Sequence, residues 1–454
     1  MTAIKNTTKG ELTRRRILTA ARRVFCRQSF AAASLRTIAA EAGVRHPLVV
    51  HYFGSKTALF EEVSAAIQKE ILEDHPRFFH RLQSLEADER PRFYLDGIIR
   101  QGLRQPDAYR LMLLNAVEAG RPDQPMAGLE RMIKIHEQVL ALISEVVLDQ
   151  APRPETAMFL LVLTLVVVHF AGGKAFHQQV LNLPADADYE EWVRDTVAQI
   201  FLPALEAIPA GRTPFMDYHL TRWPGLPEEP SPGHSDSSPA AAGRPRSKGE
   251  LTRRRILEAA RQVFAAYPYD RATIRLIGQA GGFDFSRIHH FFPTKADLFE
   301  AVLRDNFQTF NETIAGWQID PEGLATEDIF IHYLQKGLTY CFTHRQTVAM
   351  LVLNIAHYER YRDQAGFDLM TRVQSGMLAM VRRDAPPGVP AERVSRWLYT
   401  IVMMGYTLAG APVYPARLLN LDPAFPSYPG RVFEILGYVF MPSLLTRPDA
   451  MPGQ

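Results

Sequence analysis

The sequence predicts an all-α protein built from two similar halves. Residues 9–18 recur unchanged as residues 248–257, and the likeness continues at an offset of 239 residues. Over 9–63, about 25 of the 55 positions are identical without a gap, which indicates an internal duplication. Apolar residues recur at helical spacing throughout, and no segment has the alternation typical of strands. A Pro/Ser-rich stretch separates the two copies and cannot itself build a core.

Length and composition are those of an ordinary globular chain. At 454 residues the chain is too long for a single core, and its 47% hydrophobic and 22% charged residues are typical of soluble domains. The net charge is only +2, yet basic residues concentrate at Arg14, Arg15 and Arg16 and at their copies, Arg253, Arg254 and Arg255. Such clusters are either solvated helix faces or a local electrostatic footprint for a polyanion.

Several classes of protein are disfavoured by what the sequence lacks. Cys26 and Cys341 stand at non-equivalent positions, so we expect neither a disulfide framework nor a zinc site, and a reducing cytosol suits both thiols. No apolar run begins the chain, so no signal peptide is expected. The most apolar stretch, 158–171, is shorter than the roughly 20 residues of a membrane span and predicts a buried helix, with no membrane partner.

An enzyme is likewise not expected. The sequence contains no Gly-rich phosphate loop, metalloprotease motif, serine elbow or Cys/His constellation, so we predict no catalytic residue, cofactor or metal. His289 and His290 are adjacent, and neighbouring side chains diverge on a helix rather than forming a metal pair.

The first helix is predicted over 11–28, where Ile17, Ala21, Val24 and Phe25 form one apolar stripe. Ser34 is then a suitable N-cap for a short helix over 35–41.

The next helices also follow from local signals. Gly43 stands where a helix end favours φ > 0, and Pro47 fits the first turn of a helix over 45–51. Ser55 caps a longer helix over 56–73. In the second copy, Thr294 with Asp297 resembles a capping box.

The remainder of each half is predicted to be helical. Breaks at Pro and Gly divide the first half into helices near 90–104, 107–119, 126–149, 154–178 and 189–206, and the second into helices near 326–343, 345–358, 364–384, 390–410 and 428–446.

Two short helices joined at a glycine and preceded by an amphipathic helix form a helix-turn-helix pattern. The segment from Ala42 to Val44, followed by His51-Tyr52-Phe53-Gly54-Ser55-Lys56 and Leu59-Phe60, resembles the TetR family of bacterial transcription regulators. The second copy has the same frame over 282–299. The resemblance covers about 50 residues of each half. It implies domains at 9–72 and 248–311 that bind DNA, helical effector and pairing domains at 73–207 and 312–447, and a linker at 208–247.

The resemblance implies that the second short helix of each unit enters the DNA major groove. In the first half, Arg45 would bond to guanine, and Pro47 or Leu48 would contact a thymine methyl. The full set of residues expected at bases or phosphates there is Arg45, His46, Pro47, Leu48, Val50, His51, Tyr52 and Lys56. Val50 departs from the family, in which an aromatic hydroxyl usually meets the phosphate.

In the second half the matching residues are Asp284, Phe285, Ser286, Arg287, His289, His290, Phe291 and Lys295. Asp284 is expected as an N-cap that could also accept from cytosine, although an acid near phosphates weakens binding. Arg287 and Lys295 are the stronger candidates for DNA contact.

Members of the family pair on palindromic operators, so the two halves are expected to pair within one chain as a pseudo-dimer. Because the two reading helices differ, the operator is predicted to have unlike half-sites. Helices 154–178 and 189–206, with their copies, are the expected pairing helices. Partners would be double-stranded operator DNA and an unidentified small-molecule effector, in the cytoplasm and associated with the nucleoid.

The effector site is the least specified part of the prediction. Polar residues in apolar helices are candidates, although satisfied core groups would look the same: Asn115, His136, His169, His177, Asn354, His357 and Tyr406. The rival interpretation is an interaction protein in which only the first unit binds DNA and the second half is a pairing scaffold. Asp284 and Phe285 favour that rival.

Overall fold

A computed structural model describes residues 9–208, 225–226 and 247–445, except for 29, 31, 74, 121–126, 150, 152, 321 and 384–389. The described residues are helical and contain no strand. Nearly all of the linker predicted at 208–247 lies outside the described residues.

The first half contains eleven helices within the described residues. They are α1 (Lys9–Arg27), α2 (Leu35–Ala42), α3 (His46–Phe53), α4 (Lys56–Glu73), α5 (His75–Gln83), α6 (Arg90–Arg104), α7 (Pro106–Glu118), α8 (Ala127–Val146), α9 (Pro154–Gly172), α10 (Lys174–Leu181) and α11 (Asp186–Ala207).

The second half repeats this order. Its helices are α12 (Lys248–Ala266), α13 (Ile274–Gly281), α14 (Phe285–Phe291), α15 (Lys295–Ile314), α16 (Thr326–Thr343), α17 (Arg345–Ala356), α18 (Tyr358–Tyr361), α19 (Phe367–Arg383), α20 (Ala391–Gly410), α21 (Val413–Leu418) and α22 (Tyr428–Leu445), with a 3₁₀ turn at Ala315–Trp317.

The predicted helix caps are confirmed. Ser34 accepts a hydrogen bond from the backbone N–H of Thr37 at 3.0 Å, and Gly43 has φ of +62°. Thr294 and Asp297 form a complete capping box, in which each side chain accepts from the other's backbone N–H. These interactions satisfy N–H groups that a helix end leaves without partners, so they depend on local sequence alone.

Each helix-turn-helix unit closes on a small core of apolar residues at matching positions. In the first unit it contains Ile17, Phe25, Ile38, Val49 and Phe60, and in the second Ile256, Phe264, Ile277, Ile288 and Phe299. All ten are fully buried or within 1% of it. Burial of each such side chain contributes about 1.5–3 kcal/mol, which holds the four helices of each unit together.

Two predicted helices are interrupted. The segment 154–178 breaks between α9 and α10 at Gly172 and Gly173, where the Gly173 N–H caps α9 by donating to the His169 carbonyl at 2.7 Å. Similarly, the helix expected over 345–358 ends at Ala356 and is followed by the short α18. Helices α5 and α21 were not predicted individually.

Helix α9 is the most apolar helix of the chain. By length and composition the whole helix of 19 residues could cross a membrane, although the predicted apolar stretch 158–171 is shorter. Within the fold, however, 83% of its most apolar stretch is buried against other helices, as in the core helix of a globular protein.

The two halves pack against each other through α9 and α11 of the first half and α20 and α22 of the second. Polar bonds cross between them. Trp192 donates to Glu392 at 2.7 Å, and the Asp195 carboxylate lies 2.9 Å from the Arg396 guanidinium. The carboxylate of Asp195 is about half exposed, whereas the helices around it bury mostly apolar surface.

Candidate DNA interface

The first exposed reading surface lies on α3. Val49 and Phe53 point inward and are buried, which fixes the rotation of the helix on its unit. The N-cap and the remaining sides of the helix carry the exposed side chains of Arg45, His46, Pro47, Leu48, Val50 and His51. Tyr52 is half-buried. The predicted base-reading residues are thus all exposed on one short helix and its N-cap.

The second reading surface lies on α14. Ile288 and the following Phe292 are buried and orient the helix as Val49 and Phe53 do in the first unit. The exposed residues are Asp284, Phe285, Ser286, Arg287 and His290. The Phe285 side chain is 63% exposed, which is a large fraction for an aromatic residue.

Three predicted residues of the second unit have partial internal roles. Asp284 occupies the N-cap position of α14, but its side chain makes no capping hydrogen bond. His289 is half-buried. Its Nδ1 lies 2.8 Å from the Pro293 carbonyl oxygen, and its ring lies 4.1 Å from that of Phe285. Phe291 is half-buried against the core.

The structure gives Lys56 and Lys295 partners other than phosphate. Lys56 Nζ donates to the carbonyl oxygens of Phe30 and Ala33, at 2.9 and 3.1 Å. Lys295 Nζ donates to the Tyr269 carbonyl at 2.7 Å, and burial lowers its pKa. Each ammonium thus closes the loop between the first two helices of its own unit, so its contacts do not favour the predicted phosphate role.

The arginines of α1 and α12 also brace their units. Arg16 donates to the Ala42 carbonyl at 2.7 Å, across the turn between α2 and α3. Arg14 lies over the Phe53 ring and pairs with Glu62. In the second unit, Arg253 and Arg255 lie over the rings of Phe292 and Phe283, each at 5.2 Å. Spacing alone did not predict these clamps.

On the exposed surfaces of α3 and α14, the positive charges without an ion pair belong to Arg45 and Arg287. Neither guanidinium has an ion pair within the part of the chain that the structure describes. An exposed, unpaired guanidinium can form the bidentate bond that reads guanine in a major groove.

The candidate effector residues do not converge on one site. His169 Nε2 lies 2.8 Å from Thr407 Oγ1 between the halves, and Asn354 donates to the Met350 carbonyl at 2.7 Å within its own helix. His136 and Tyr406 are buried, the first in the first half and the second in the second. Burial lowers the pKa of His136 to about 4 and raises that of Tyr406.

The other two histidines named from sequence also bind across the halves. His177 Nδ1 lies 2.7 Å from the Tyr399 hydroxyl, and His357 Nε2 lies 2.7 Å from Glu118 Oε1. These are packing contacts between the halves rather than the lining of a pocket.

Among the candidates, Asn115 lines a cavity between α4, α7 and α8 of the first half. The cavity has a volume of about 30 Å³, room for one or two waters. Its walls include Ile67, Ile71, Leu111, Met112, Asn115 and Arg131. Arg131 donates to Gln68 at 3.2 Å on the cavity wall.

The matching region of the second half contains buried polar side chains that bond to one another. Asn306 stands at the position of Ile67, and Thr347 at that of Ala108. Asn306 accepts from Arg261 at 2.8 Å and from Thr347 at 3.3 Å. Within the described residues, no cluster of three or more His, Cys, Asp or Glu could hold a metal ion.

The fold and these two surfaces define a class: an all-α protein with two helix-turn-helix units, each exposing a short helix of a size that fits a major groove. The family model for bacterial regulatory proteins of the tetR family matches residues 17–63 and again 256–302. The chain therefore contains two TetR-like helix-turn-helix units in tandem.

Two relatives agree with this assignment. The chain is 46% identical over 54 residues to the HTH-type transcriptional repressor Rv1474c of Mycobacterium tuberculosis, covering 12% of this chain and 29% of that protein. It is 28% identical over 162 residues to the HTH-type transcriptional repressor LfrR of Mycolicibacterium smegmatis, covering 35% of this chain and 80% of that protein. The chain thus spans less than a third of the first relative and most of the second.

Proposed function

We propose that the protein is a ligand-responsive transcriptional repressor that binds an asymmetric operator as a single-chain pseudo-dimer. Residues 9–72 and 248–311 would read DNA, and 73–207 and 312–447 would pair and respond to an effector. Repression is inferred from the names of the two relatives. Binding to operator DNA would place the protein in the cytoplasm.

One observation carries the proposal: the two reading helices are held alike but expose different chemistry. The buried pairs Val49/Phe53 and Ile288/Phe292 give both helices the same rotation. At the five aligned positions that are exposed in both units, only His51 and His290 are identical. A homodimer presents one surface twice and reads a palindrome, whereas this chain presents two surfaces.

The exposed residues suggest what each half-site contains. Arg45 suits guanine, and the neighbouring Pro47 and Leu48 offer apolar contact to a thymine methyl. In the second unit Arg287 suits guanine, Asp284 can accept from a cytosine amino group, and Phe285 offers an apolar contact. The two half-sites would therefore differ, with centres about one to two helical turns apart.

Effector binding is proposed at the first half only. The cavity beside Asn115 has apolar walls and one cationic group, Arg131, which suits an apolar anion. It must enlarge to admit such a molecule, so a ligand would favour an expanded state over the compact one. If the expanded state separates the reading helices, the ligand releases DNA. In the second half, Asn306 and Thr347 occupy the matching space.

The effector proposal can be tested with the anionic apolar dye anilinonaphthalene sulfonate. We expect the full chain to bind it, and the paired substitution Ile67→Asn and Ala108→Thr, which copies the second half, to abolish binding. Dye binding that survives these changes would place the effector site elsewhere.

A second candidate function is favoured by Asp284 and by the exposed Phe285. An acid close to phosphates weakens DNA binding, and an exposed aromatic ring suits a protein contact. In this alternative only the first unit binds DNA, and the second half supplies a pairing scaffold.

Selection of operator sequences from random duplex DNA with the full chain tests the main proposal. We expect two unlike half-sites bound by one chain; a perfect palindrome would contradict it. Arg45→Ala and Arg287→Ala separate the alternatives, because neither arginine supports its unit. Two reading units predict that each change weakens binding about 10-fold or more. If only Arg45→Ala does so, the scaffold alternative holds.

A further inference from the structure

Equivalent residues of the two halves meet each other in the centre of the interface. Glu118 and His357 are 239 residues apart, the offset of the duplication, and Glu118 Oε1 lies 2.7 Å from His357 Nε2. Both side chains are buried, 2% and 1% exposed. In a symmetric dimer only residues on the two-fold axis touch their own copies, so this pair marks a pseudo-two-fold axis.

A second pair on the same axis supports the assignment. Helices α9 and α20 align at an offset of 238, since Tyr189 donates to the Phe170 carbonyl just as Tyr428 donates to that of Leu408. At this offset His169 and Thr407 are equivalent. They also touch, with Nε2 and Oγ1 2.8 Å apart.

The contacting residues are chemically complementary only between unlike halves. If two first halves paired, Glu118 would face Glu118, and two carboxylates would be buried together without a cation. If two second halves paired, His357 would face His357 and lose its carboxylate acceptor. Pairing of unlike halves joins an acid to a base in a site with almost no access to water.

Contacts away from the axis also favour pairing of unlike halves. One face of α20 presents Glu392, Arg396 and Tyr399 to the first half, where they bond to Trp192, Asp195 and His177. The equivalent face of α9 carries Pro154, Met158 and Leu161, which offer no such side-chain partner.

The buried Arg110 adds a further contact of this kind. It pairs with Glu359, whose counterpart in the first half is Gly120. Two paired first halves would lose each of these bonds and leave Arg110 and His177 buried without their partners.

We propose that Glu118 and His357 form a heterotypic pairing contact: a first half binds a second half, and pairing between like halves is excluded. The partner surface for each half is thus the other half. The inference rests on the pseudo-dimer part of the proposed function. Its test measures association of the halves without DNA, so the inference and the proposed function can fail independently.

The test uses full-length chains in which a protease site is inserted within 209–247 and cut after folding. Native mass spectrometry then counts complexes of like and unlike halves. For the cut wild-type chain, we expect first–second complexes only. We expect His357→Glu (Glu facing Glu) and Glu118→His (His facing His) each to reduce these complexes at least tenfold.

The decisive measurements are two rescues. The double substitution Glu118→His with His357→Glu restores an acid facing a base, so its complexes should recover. Mixing the two cut single variants should also form cross-complexes, because each supplies the partner that the other lacks. Arg372→Glu, a charge reversal at an exposed side chain that pairs within its own helix, is the control and should change nothing.

Three outcomes would overturn the proposal: like-half complexes from the wild-type chain, single variants that pair as the wild type does, or a double variant no better than the singles. Failure of the single variants to fold would not obscure the result, because recovery in the double variant is read independently.

Discussion

Lys56 binds both the backbone and the ring of Phe30: its Nζ donates to the Phe30 carbonyl at 2.9 Å and lies 4.3 Å from the centre of the ring. Lys295 repeats this with Tyr269, at 2.7 and 4.2 Å. A single cation therefore closes the loop between the first two helices of each unit. The same lysines fit a family motif for DNA contact, yet their bonds here serve the fold.

We expect Lys56→Gln and Lys295→Gln each to lower the local unfolding free energy of its unit by about 1–3 kcal/mol, through loss of charged hydrogen bonds and the cation–π contact. Hydrogen exchange of α1 and α2, or of α12 and α13, measures this. Arg45→Gln is the control and should change stability by less than about 0.5 kcal/mol. If hydrogen exchange were unchanged in the lysine variants, both lysines would again be candidates for phosphate contact.

Gly172 and Gly410 allow two close helix crossings. A Cβ at Gly172 would lie 2.6 Å from the Tyr109 carbonyl oxygen, and one at Gly410 would lie 2.7 Å from the Ala349 nitrogen. Alanine at either position should destabilise the fold by about 1–3 kcal/mol, because the crowding atoms belong to backbone. Gly376, on an exposed face of α19 with nothing within 4 Å, is the matched control.

For Gly376→Ala the sign should reverse, with a gain of up to about 1 kcal/mol from helix propensity. Urea unfolding followed by circular dichroism measures all three. If Gly172→Ala were as harmless as Gly376→Ala, the close crossing of α7 and α9 would be in error.

Acid should destabilise the protein through its buried histidines. Burial lowers the pKa of His136 and of His169 to about 4, below the ordinary value of 6.5. Between these values the unfolded chain binds protons that the folded chain does not, so stability falls as pH drops from about 6.5 to 4. Each histidine accounts for about 3 kcal/mol, and neither contributes further loss below pH 4.

Urea midpoints measured from pH 7 to pH 4 test this. The substitution His136→Leu should reduce the loss of stability over this range by the contribution of one histidine, about 3 kcal/mol. His177 adds to the slope in the wild type, since burial lowers its pKa as well. Stability that is level across this range would contradict the burial of these side chains.

A transplant between the two reading helices should convert the operator. Placing the second surface on the first helix requires Arg45→Asp, His46→Phe, Pro47→Ser and Leu48→Arg, while the buried Val49 and Phe53 stay unchanged. Because the supports of both helices match, we expect the variant to select a palindrome of the second half-site from random DNA. Selection of the wild-type operator would mean that these side chains do not read bases.

Much of the local structure was predictable because its causes lie close together in the chain. Ser34, Gly43 and the Thr294–Asp297 box determine helix ends through bonds that span three or four residues. The apolar stripe containing Ile17 and Phe25 fixed the buried face of α1 for a similar reason. The break between α9 and α10 was missed, since apolar residues continue through Gly172 and Gly173.

By itself, the sequence determined the duplication, the helical class, the caps and the two unlike reading helices, because each follows from repeats or from neighbours within a few residues. Only the tertiary structure decided that Lys56 and Lys295 serve their own loops, and that Asn306 and Thr347 bond to each other where the first half has Ile67 and Ala108. It also decided that Glu118 meets His357. These contacts join residues from 23 to 239 positions apart, and their energies depend on burial that packing alone creates.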